Sequence, residues 1–365
     1  MSEPRVLPRP RPGVLELQPY VGGESKAPGA NRVIRLASNE NPLGAGQAAQ
    51  EAYRAAAGEL HRYPDGGAVA LREAIAKAED LDAARIVCGA GSDELIALLV
   101  RAYAGPGDEV LYSRHGFLMY SIAALAAGAT PVAAEERDCT ADVDALLALV
   151  GPRTRLVFLA NPNNPTGSLL PAAEVDRLHR GLPPDVILAL DAAYAEYVED
   201  PGYEAGARLV EAADNVVMLR TFSKIHGLAA LRLGWSYGSP AITDVLNRVR
   251  GPFNVASAAQ AAGLAAIADG AHLERSRAHN RTFLPWLARE LATLGLEPLP
   301  SAGNFLLVRF PDAAKSAPAA LARLKAEGIL VRGMAAYGLP DCLRITVGLE
   351  EELQALVASL KDWLG

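Results

Sequence analysis

The chain has 365 residues, a formal net charge of -7 and a mean hydropathy of +0.12, with 50% hydrophobic and 21% charged residues. This composition is typical of a compact globular protein and excludes a largely disordered one, and the length favours two domains. The acidic balance, without clusters of Lys and Arg, excludes an extended nucleic-acid surface.

Several other classes of protein are disfavoured by local features. Cys88, Cys139 and Cys342 are too few and too scattered for a disulfide framework or a CxxC zinc site, and the histidines gather no metal ligands. No apolar run reaches the roughly 18 residues of a membrane helix, and the first dozen residues, rich in Pro and Arg, lack a signal-peptide core. We expect a cytoplasmic protein with a flexible or polyproline-like N-terminal arm and no metal, membrane or nucleic-acid partner.

From about residue 69 to residue 267, apolar runs suited to strands alternate with helical stretches rich in Ala and Leu. This alternation predicts an α/β fold with a doubly wound, mostly parallel sheet of seven strands. Because the runs are continuously apolar, helices should cover both faces of the sheet. The predicted strands are 85–88, 109–112, 130–134, 156–159, 186–190, 216–219 and 233–237.

Beyond about residue 270 the pattern changes to that of a smaller α+β domain. Its predicted elements are helices at 272–294 and 318–327, a strand at 304–310, and short strands near Leu330 and Leu343. The segment before Gly44 has too few periodic residues to fold alone, so it should pack on this domain or on a partner subunit. The predicted division is an N-terminal segment at 1–44, a large domain at 45–270 and a small domain at 271–365.

A glycine-containing turn, GAGSDE at 89–94, joins the first predicted strand to a helix. Backbone N–H groups at such a helix start form a natural phosphate site. Glu94 stands where a dinucleotide fingerprint has its third glycine, which disfavours a nicotinamide dehydrogenase.

Two later loops also follow predicted strands. His115-Gly116-Phe117 brings Phe117 to the same sheet edge, where its ring could stack on a planar cofactor; a core Phe is equally consistent with the local sequence. In NPNNPTG at 161–167, two prolines and a glycine fix a tight loop, and Asn164 could present its amide to a ligand oxygen. An ordinary turn is the alternative reading.

Asp191 ends an apolar run, where a carboxylate would be costly to bury unpaired. It could pair with a protonated pyridine nitrogen and so keep a cofactor ring electron-withdrawing. Tyr194, three residues later, could then hydrogen-bond a hydroxyl on that ring. Taken alone, Asp191 is more consistent with a helix N-cap or a loop residue.

The strongest local signal is TFSK, residues 221–224, just after a predicted strand and followed by Arg232. Ligand sites of open α/β sheets lie at the carboxyl ends of strands. A lysine that forms an imine must be partly desolvated, and Thr221 and Ser223 with the nearby Arg232 suit a phosphate. A lone Ser-Lys pair is usually solvated surface, but the neighbouring motifs favour Lys224 as a cofactor lysine.

Arg344 lies inside an apolar run near the C-terminus, a setting in which a guanidinium usually has an anionic partner. Arg332 and Tyr20 are weaker candidates for the same anion pocket. Either of them, judged singly, is more consistent with a structural role.

Together, NPNNPTG, DAAY, TFSK with Arg232, and LRITVG with Arg344 resemble the motifs of the fold-type I aminotransferases, which use pyridoxal 5′-phosphate. The resemblance is closer to the histidinol-phosphate aminotransferase branch. It spans nearly the whole chain, from Tyr20 and SNENP at 38–42, through RYPD at 62–65, to Arg344.

The resemblance implies a role for each matching residue. Lys224 would form the imine with the cofactor, Asp191 would pair with the pyridine nitrogen, and Asn164 and Tyr194 would bind the ring hydroxyl. Phe117, where the family often has Tyr, would stack on the ring. The residues implied to hold the cofactor phosphate are Ala90, Gly91, Ser92, Thr221, Ser223 and Arg232.

The resemblance further implies a homodimer in which Tyr63 reaches the cofactor phosphate of the neighbouring subunit. Tyr20, Arg332 and Arg344 match positions that hold the distal anion of the substrate, and Asn164 also contacts the substrate. The implied reaction is a ping-pong transfer from histidinol phosphate to 2-oxoglutarate, giving imidazole acetol phosphate and glutamate in histidine biosynthesis.

Four alternatives remain at this point. An aromatic amino acid aminotransferase or a decarboxylase of a phosphorylated amino acid could use the same residues. A regulatory protein that keeps the fold as a ligand sensor would need a nucleic-acid-binding domain, for which the chain has no room. A nicotinamide dehydrogenase is opposed by the missing glycine and by the Lys224 constellation.

Overall fold

The structure is a computed structural model that describes residues 11, 13–17, 19–20, 22–29 and 32–365. The predicted N-terminal arm therefore lies almost entirely outside the described residues. Within them, a large α/β unit carries a seven-stranded sheet and a smaller unit carries a four-stranded one. The strands, in chain order, are β1 (Ile34–Arg35), β2 (Ile86–Gly89), β3 (Glu109–Ser113), β4 (Thr130–Ala134), β5 (Glu136–Arg137), β6 (Thr140–Ala141), β7 (Thr154–Ala160), β8 (Ile187–Asp191), β9 (Val216–Thr221), β10 (Gly234–Gly238), β11 (Glu297–Pro298), β12 (Phe305–Arg309), β13 (Ile329–Leu330), β14 (Arg332–Gly333) and β15 (Cys342–Thr346).

The large sheet has the order β2-β10-β9-β8-β7-β3-β4. Neighbouring strands from β9 to β4 are parallel, whereas β10 is antiparallel to both β9 and β2. The predicted mostly parallel sheet of seven strands is thus confirmed, and every predicted strand overlaps an observed one. Because the parallel strands end at one edge, the loops after β3, β7, β8 and β9 meet there.

Both faces of this sheet are buried along its continuously apolar strands, whereas the edge strand β4 leaves Thr130 and Ala133 exposed. Along β7, Leu156 and Phe158 pack into one hydrophobic cluster, while Val157 and Leu159 pack into the cluster on the opposite face. Successive side chains of a strand point to opposite faces, so a strand covered on both sides must be apolar throughout.

Helices cover the sheets and build most of the remaining structure. Among the described residues they are α1 (Gln47–Ala56), α2 (Val69–Glu79), α3 (Ser92–Tyr103), α4 (Met119–Ala127), α5 (Val143–Leu149), α6 (Ala172–Gly181), α7 (Ala207–Ala212), α8 (Pro240–Val249), α9 (Ser257–Ile267), α10 (Gly270–Thr293), α11 (Ala317–Ala326) and α12 (Glu350–Leu364). In the part of the chain that the structure describes, no helix combines the length and the apolar character needed to cross a bilayer.

The smaller unit is built on the sheet β11-β12-β15-β14, which is antiparallel throughout. The short strand predicted near Leu330 is β13, which pairs in parallel with β1 outside that sheet. Ile34 and Leu36 pack in the same hydrophobic cluster as residues of α10, α11 and α12. The segment just before Gly44 therefore adds to the core of the smaller unit.

Candidate active site

A cavity of about 270 Å³ lies where the carboxyl edge of the large sheet meets the N-terminal segment and the strands β14 and β15. Fifteen residues were predicted to form the site, and twelve of them line this cavity. They are Tyr20, Ser92, Phe117, Asn164, Asp191, Tyr194, Thr221, Ser223, Lys224, Arg232, Arg332 and Arg344. These residues come from distant parts of the sequence, so the fold gathers them into one place.

One end of the cavity is suited to an anion. Ser92 begins α3, whose first backbone N–H groups have no partner within the helix, and the helix dipole adds partial positive charge there. The Arg232 guanidinium lies beside this helix start: it donates to Ser223 Oγ at 3.2 Å and pairs with Asp93 at 3.1 Å. Helix N–H groups, a hydroxyl and a guanidinium together make a phosphate-type site.

Two glycines permit this close packing. Gly91 has a φ of 88°, and a Cβ on it would lie 2.4 Å from Arg232 Nη2. A Cβ on Gly234, in β10, would lie 2.5 Å from the backbone nitrogen of Ser92. Any larger residue at either position would displace the helix start or the guanidinium.

Asp191, the last residue of β8, is almost fully buried. Tyr120 donates to its Oδ2 at 2.7 Å, and the backbone N–H of Ala193 donates to its Oδ1 at 3.2 Å. Burial raises the pKa of Asp191 to about 6, while these two hydrogen bonds act in the opposite direction. A buried acid with only neutral partners is suited to bind a cationic group of a ligand.

Asn164 and Tyr194 are each oriented by a neighbour. Arg344 Nη1 donates to Asn164 Oδ1, so the amide nitrogen of Asn164 remains a donor toward the cavity. Asn39 Nδ2 donates to the Tyr194 hydroxyl oxygen at 2.8 Å.

Phe117 lies edge-on to Tyr20, with ring centroids 6.4 Å apart.

Lys224 follows β9, the strand next to the one that ends in Asp191. Its Nζ donates to the backbone oxygen of Ser38 at 3.1 Å and lies 5.7 Å from the centre of the Tyr194 ring. Burial, together with the positive charges of Arg344 and Arg232, lowers the pKa of Lys224 to about 8. An amine with this pKa is partly unprotonated near neutral pH and can act as a nucleophile or base.

Two arginines on paired strands also line the cavity. Arg344, in β15, lies opposite Arg332, in β14, and the Arg332 guanidinium lies 5.3 Å from the centre of the Tyr20 ring. Arg344 is 4% exposed, donates to the backbone oxygen of Ala37 at 2.8 Å, and has a buried Nε without a hydrogen-bond partner. Burial lowers the pKa of Arg344, which nevertheless keeps its charge. Two guanidiniums in the same cavity suit an anionic substrate group.

Three predicted site residues do not line the cavity. The backbone N–H of Ala90 donates to the carboxylate of Glu94, and Gly91 lies behind Arg232. Tyr63 is 83% exposed and stacks on Phe253, with ring centroids 4.7 Å apart. Their roles in binding a cofactor stay predictions.

Several residues that the structure brings to the site have no role in the sequence-based prediction. Ser38, Asn39 and Asp93 line the cavity, and Tyr120 binds Asp191 from behind. SNENP at 38–42 was recognised as a motif, but the partners of Ser38 and Asn39 are far away in sequence. Nothing in the local sequence around Tyr120 points to Asp191.

A lysine and a buried acid at the ends of adjacent parallel strands, beside an anion-binding helix start, define the fold-type I class of transferases. Sequence comparison agrees with this assignment. The chain belongs to the family described as aminotransferase class I and II, whose profile matches residues 31–360. The predicted fold class and the resemblance are thereby confirmed.

Named relatives lie within the same branch. The chain is 60% identical to a histidinol-phosphate aminotransferase of Paramagnetospirillum magneticum, over 98% of this chain and 99% of the relative. It is 59% identical to one of Rhodospirillum centenum, again over 98% and 99% of the two chains. A crystal structure of histidinol-phosphate aminotransferase from Sinorhizobium meliloti, in complex with pyridoxal 5′-phosphate, has a TM-score of 0.90 and 32% identity, over 98% of each chain.

Proposed function

We propose that this aminotransferase moves the amino group of histidinol phosphate to 2-oxoglutarate, giving imidazole acetol phosphate and glutamate in histidine biosynthesis. The observation that carries the proposal is that Arg332 and Arg344, opposite each other on β14 and β15, line the same cavity as the Ser92–Arg232 anion site. One cavity thus has two groups of anion-binding side chains, and the positive charges of both Arg344 and Arg232 act on Lys224. The high identity to histidinol-phosphate aminotransferases supports the same substrate.

The residues of the cavity fit pyridoxal 5′-phosphate. The helix start at Ser92, the Ser223 hydroxyl and Arg232 would hold its phosphate, with Thr221 beside them. Asp191, whose other partners are neutral, would bind the protonated ring nitrogen, and Asn164 and Tyr194 would donate to the ring hydroxyl. Phe117 would cover one face of the ring. When bound, this cofactor supplies an electron sink for the substrate carbon that bears the amino group.

The protein residues then divide the work of proton transfer. Lys224 Nζ, with its lowered pKa, can take the proton from the substrate carbon that bears the amino group. It can then release that proton within the same cavity. Asp191 stays ionised beside a cationic partner and thereby favours electron withdrawal. The Ser38 carbonyl, at 3.1 Å, holds the Lys224 amine when it is not otherwise engaged.

Arg344 and Arg332 would bind the anions of the two substrates in turn. A phosphate and a carboxylate both accept paired hydrogen bonds from a guanidinium, so Arg344 can serve either substrate. Arg332, stacked on Tyr20, would add to the phosphate site. This arrangement explains how a ping-pong enzyme could accept two chemically different substrates in one cavity.

The test uses the absorption spectrum of the purified, cofactor-loaded protein. Histidinol phosphate should convert the cofactor of the wild type to its aminated form. It should not convert the cofactor in Lys224→Ala. Conversion by phenylalanine or tyrosine alone would make the enzyme an aromatic amino acid aminotransferase. The absence of any bound chromophore after addition of cofactor would contradict the proposed cofactor site and the proposed reaction.

A matched substitution tests the anion site itself. Arg332→Ala should raise KM for histidinol phosphate by roughly 10- to 100-fold, as expected for loss of a charged hydrogen bond. The half-reaction with glutamate, which has a smaller distal group, should change less. The exposed Arg248→Ala, whose partner is Asp244 on the same helix, is the control for a general loss of positive charge. An equal effect of Arg332→Ala on both half-reactions would contradict a role in phosphate recognition.

The same proposal includes a homodimer in which Tyr63 completes the site of the partner subunit. Tyr63 stacks on Phe253, and both rings are exposed, as are several apolar side chains near them in the sequence or on the neighbouring helices α2 and α9. These residues, with their exposed fractions, are Leu60 at 76%, Tyr63 at 83%, Val69 at 43%, Phe253 at 44% and Leu264 at 40%. An exposed tyrosine on such a surface could reach a phosphate in the neighbouring chain.

Two further predictions remain part of the proposal. The division into 1–44, 45–270 and 271–365 is supported by the pairing of β1 with β13 and by the start of α10 at Gly270. A cytoplasmic location is supported by the biosynthetic reaction proposed here.

A further inference from the structure

The turn at Ser38 and Asn39 contacts two residues of the proposed active site. The Ser38 carbonyl accepts from Lys224, and the Asn39 side chain donates to Tyr194. Asn39 is 1% exposed and has a φ of 55°, in the left-handed region that few residues other than glycine and asparagine adopt. Because Asn39 is buried and held in this conformation, its side chain has a defined position beside Tyr194.

Thr346 fixes the orientation of that side chain. Its Oγ1 accepts from the backbone N–H of Asn39 at 2.9 Å, so its single proton is available for Asn39 Oδ1, which lies 3.3 Å away. With Oδ1 accepting, Asn39 must direct Nδ2 to the Tyr194 hydroxyl oxygen, at 2.8 Å. The backbone oxygen of Asn39 accepts in turn from Asn304 Nδ2 at 3.1 Å. Thr346 and Asn304 therefore hold the backbone of Asn39, and Thr346 and Tyr194 contact its side-chain amide.

This direction of hydrogen bonding has a consequence for Tyr194. Because its oxygen accepts from Asn39, its one proton is not used there and can be donated to a ligand. If the amide were turned over, Oδ1 would accept that proton instead. The hydrogen bond from Asn39 also lowers the pKa of Tyr194, against a larger upward effect of burial, and so strengthens the hydroxyl as a donor.

Thr346 and Arg344 lie two residues apart in β15, so their side chains point to the same side of that strand. We propose that Thr346 is a positioning residue: through Asn39 it keeps the Tyr194 hydroxyl a donor to the ring oxygen of the cofactor. This inference rests on the cofactor site proposed above. It assigns to one strand both the binding of a substrate anion and the direction of the proton on Tyr194.

The test measures the pH midpoint of the visible absorption of the bound cofactor, which needs no turnover. A hydrogen-bond donor to the ring oxygen of the cofactor stabilises negative charge on that oxygen. It thereby weakens proton binding at the Lys224 nitrogen that would lie beside the oxygen. Loss of the donor should therefore raise the midpoint, by roughly 0.5 to 1 pH unit for one hydrogen bond. We expect this rise in Tyr194→Phe and a smaller rise in the same direction in Thr346→Val.

Three further variants make the result specific. Thr346→Ser keeps the hydroxyl and should restore the wild-type midpoint. Thr243→Val is the matched control: Thr243 is also buried, but its hydroxyl bonds to the backbone of Arg85, away from the cavity. If Thr346→Val does not fold, Asn39→Gly, which tolerates a positive φ, removes the same amide and should raise the midpoint likewise.

The double variant Thr346→Val with Tyr194→Phe decides between a positioning and a merely structural role. If Thr346 acts through Tyr194, the second substitution adds no further shift to Tyr194→Phe. A shift from Thr346→Val that persists without the Tyr194 hydroxyl, or an unchanged midpoint in Thr346→Val beside a raised one in Tyr194→Phe, overturns this inference alone. An unchanged midpoint in Tyr194→Phe overturns the role of Tyr194 in the proposed site, and this inference with it.

Discussion

Tyr120 donates its hydroxyl proton to Asp191 Oδ2 across 2.7 Å, from inside the hydrophobic cluster behind the sheet. Its ring stacks on Phe158, with centroids 4.6 Å apart and an angle of 6° between the ring planes. Both residues are almost fully buried, so water cannot replace the phenol. Tyr120, together with the backbone N–H of Ala193, therefore stabilises the charged form of Asp191.

Tyr120→Phe should weaken cofactor binding through Asp191. Without the phenol, the pKa of Asp191 should rise further above its value of about 6, because a hydrogen bond that lowers it is lost. Cofactor affinity should fall at low pH as Asp191 becomes protonated, and we call this fall the acid limb. Loss of a hydrogen bond to the charged carboxylate should move the acid limb to a higher pH, by roughly one unit. Titration of the cofactor into the protein across a range of pH measures this limb.

Tyr103→Phe is the matched control for that experiment. Tyr103 packs against the same hydrophobic cluster as Tyr120 but lies at the end of α3, away from Asp191. Its substitution should leave the acid limb where it is. Equal limbs in Tyr120→Phe and the wild type would show that the phenol does not control the charge of Asp191.

Asp191→Asn should stabilise the cofactor-free protein while it abolishes transamination. Burial raises the pKa of Asp191 from 3.8 to about 6, so the folded protein prefers the neutral acid. The stability associated with this preference is present below about pH 4 and is lost as the pH rises through 6. Near pH 7 the ionised carboxylate should therefore cost roughly 1–3 kcal/mol, which the neutral amide avoids.

Urea unfolding of the cofactor-free proteins at two pH values measures this effect. The stability gain of Asp191→Asn should be present near pH 7 and should shrink toward zero near pH 4. Asp185→Asn, at an acid whose side chain is 73% exposed just before β8, should give no such gain. A loss of stability in Asp191→Asn near pH 7 would contradict the assignment of a strained, buried charge.

Lys224 should capture the cofactor with a pH dependence set by its lowered pKa. Only the unprotonated amine attacks a carbonyl, and burial lowers the pKa of Lys224 from 10.5 to about 8. The rate of cofactor capture should therefore rise with pH and level off above about 8. Stopped-flow absorption measures the rate, and Lys224→Arg should show no capture. A rate that still climbs toward pH 10.5 would mean that the amine is solvated.

The sequence predicted the large sheet well because its strands are continuously apolar. It placed the edges of elements less well where polar residues take part. The strand predicted at 156–159 extends over Thr154–Ala160, because backbone pairing with β3 and β8 continues past the apolar run. The helix predicted to follow the turn at 89–94 already begins at Ser92, because its first turn is polar and has no apolar periodicity.

The sequence predicted the site residues that belong to recognisable motifs, and it did not predict the contacts that join these residues to distant parts of the chain. TFSK, Asp191 and Asn164 each follow a strand, so the rule for carboxyl edges of parallel sheets brings them together. The contacts of Asn39 with Tyr194 and Thr346 join residues 155 and 307 positions apart. Side chains joined over such separations, within turns held at unusual φ, leave no local pattern in a single sequence.

Tyr63 should act on the neighbouring subunit, which mixed dimers can test. Tyr63→Phe keeps the stacking on Phe253 but loses the hydroxyl, so the homodimer should bind the cofactor roughly tenfold more weakly. A mixed dimer of a Tyr63→Phe chain with a Lys224→Ala chain would contain one site with both Lys224 and the Tyr63 hydroxyl. That site should bind cofactor with wild-type affinity and retain about half of the wild-type activity per dimer, as one of two equivalent sites. Spectral titration of the mixed dimer measures both affinities, and uniformly weak binding at the site that contains Lys224 would mean that Tyr63 does not cross the interface.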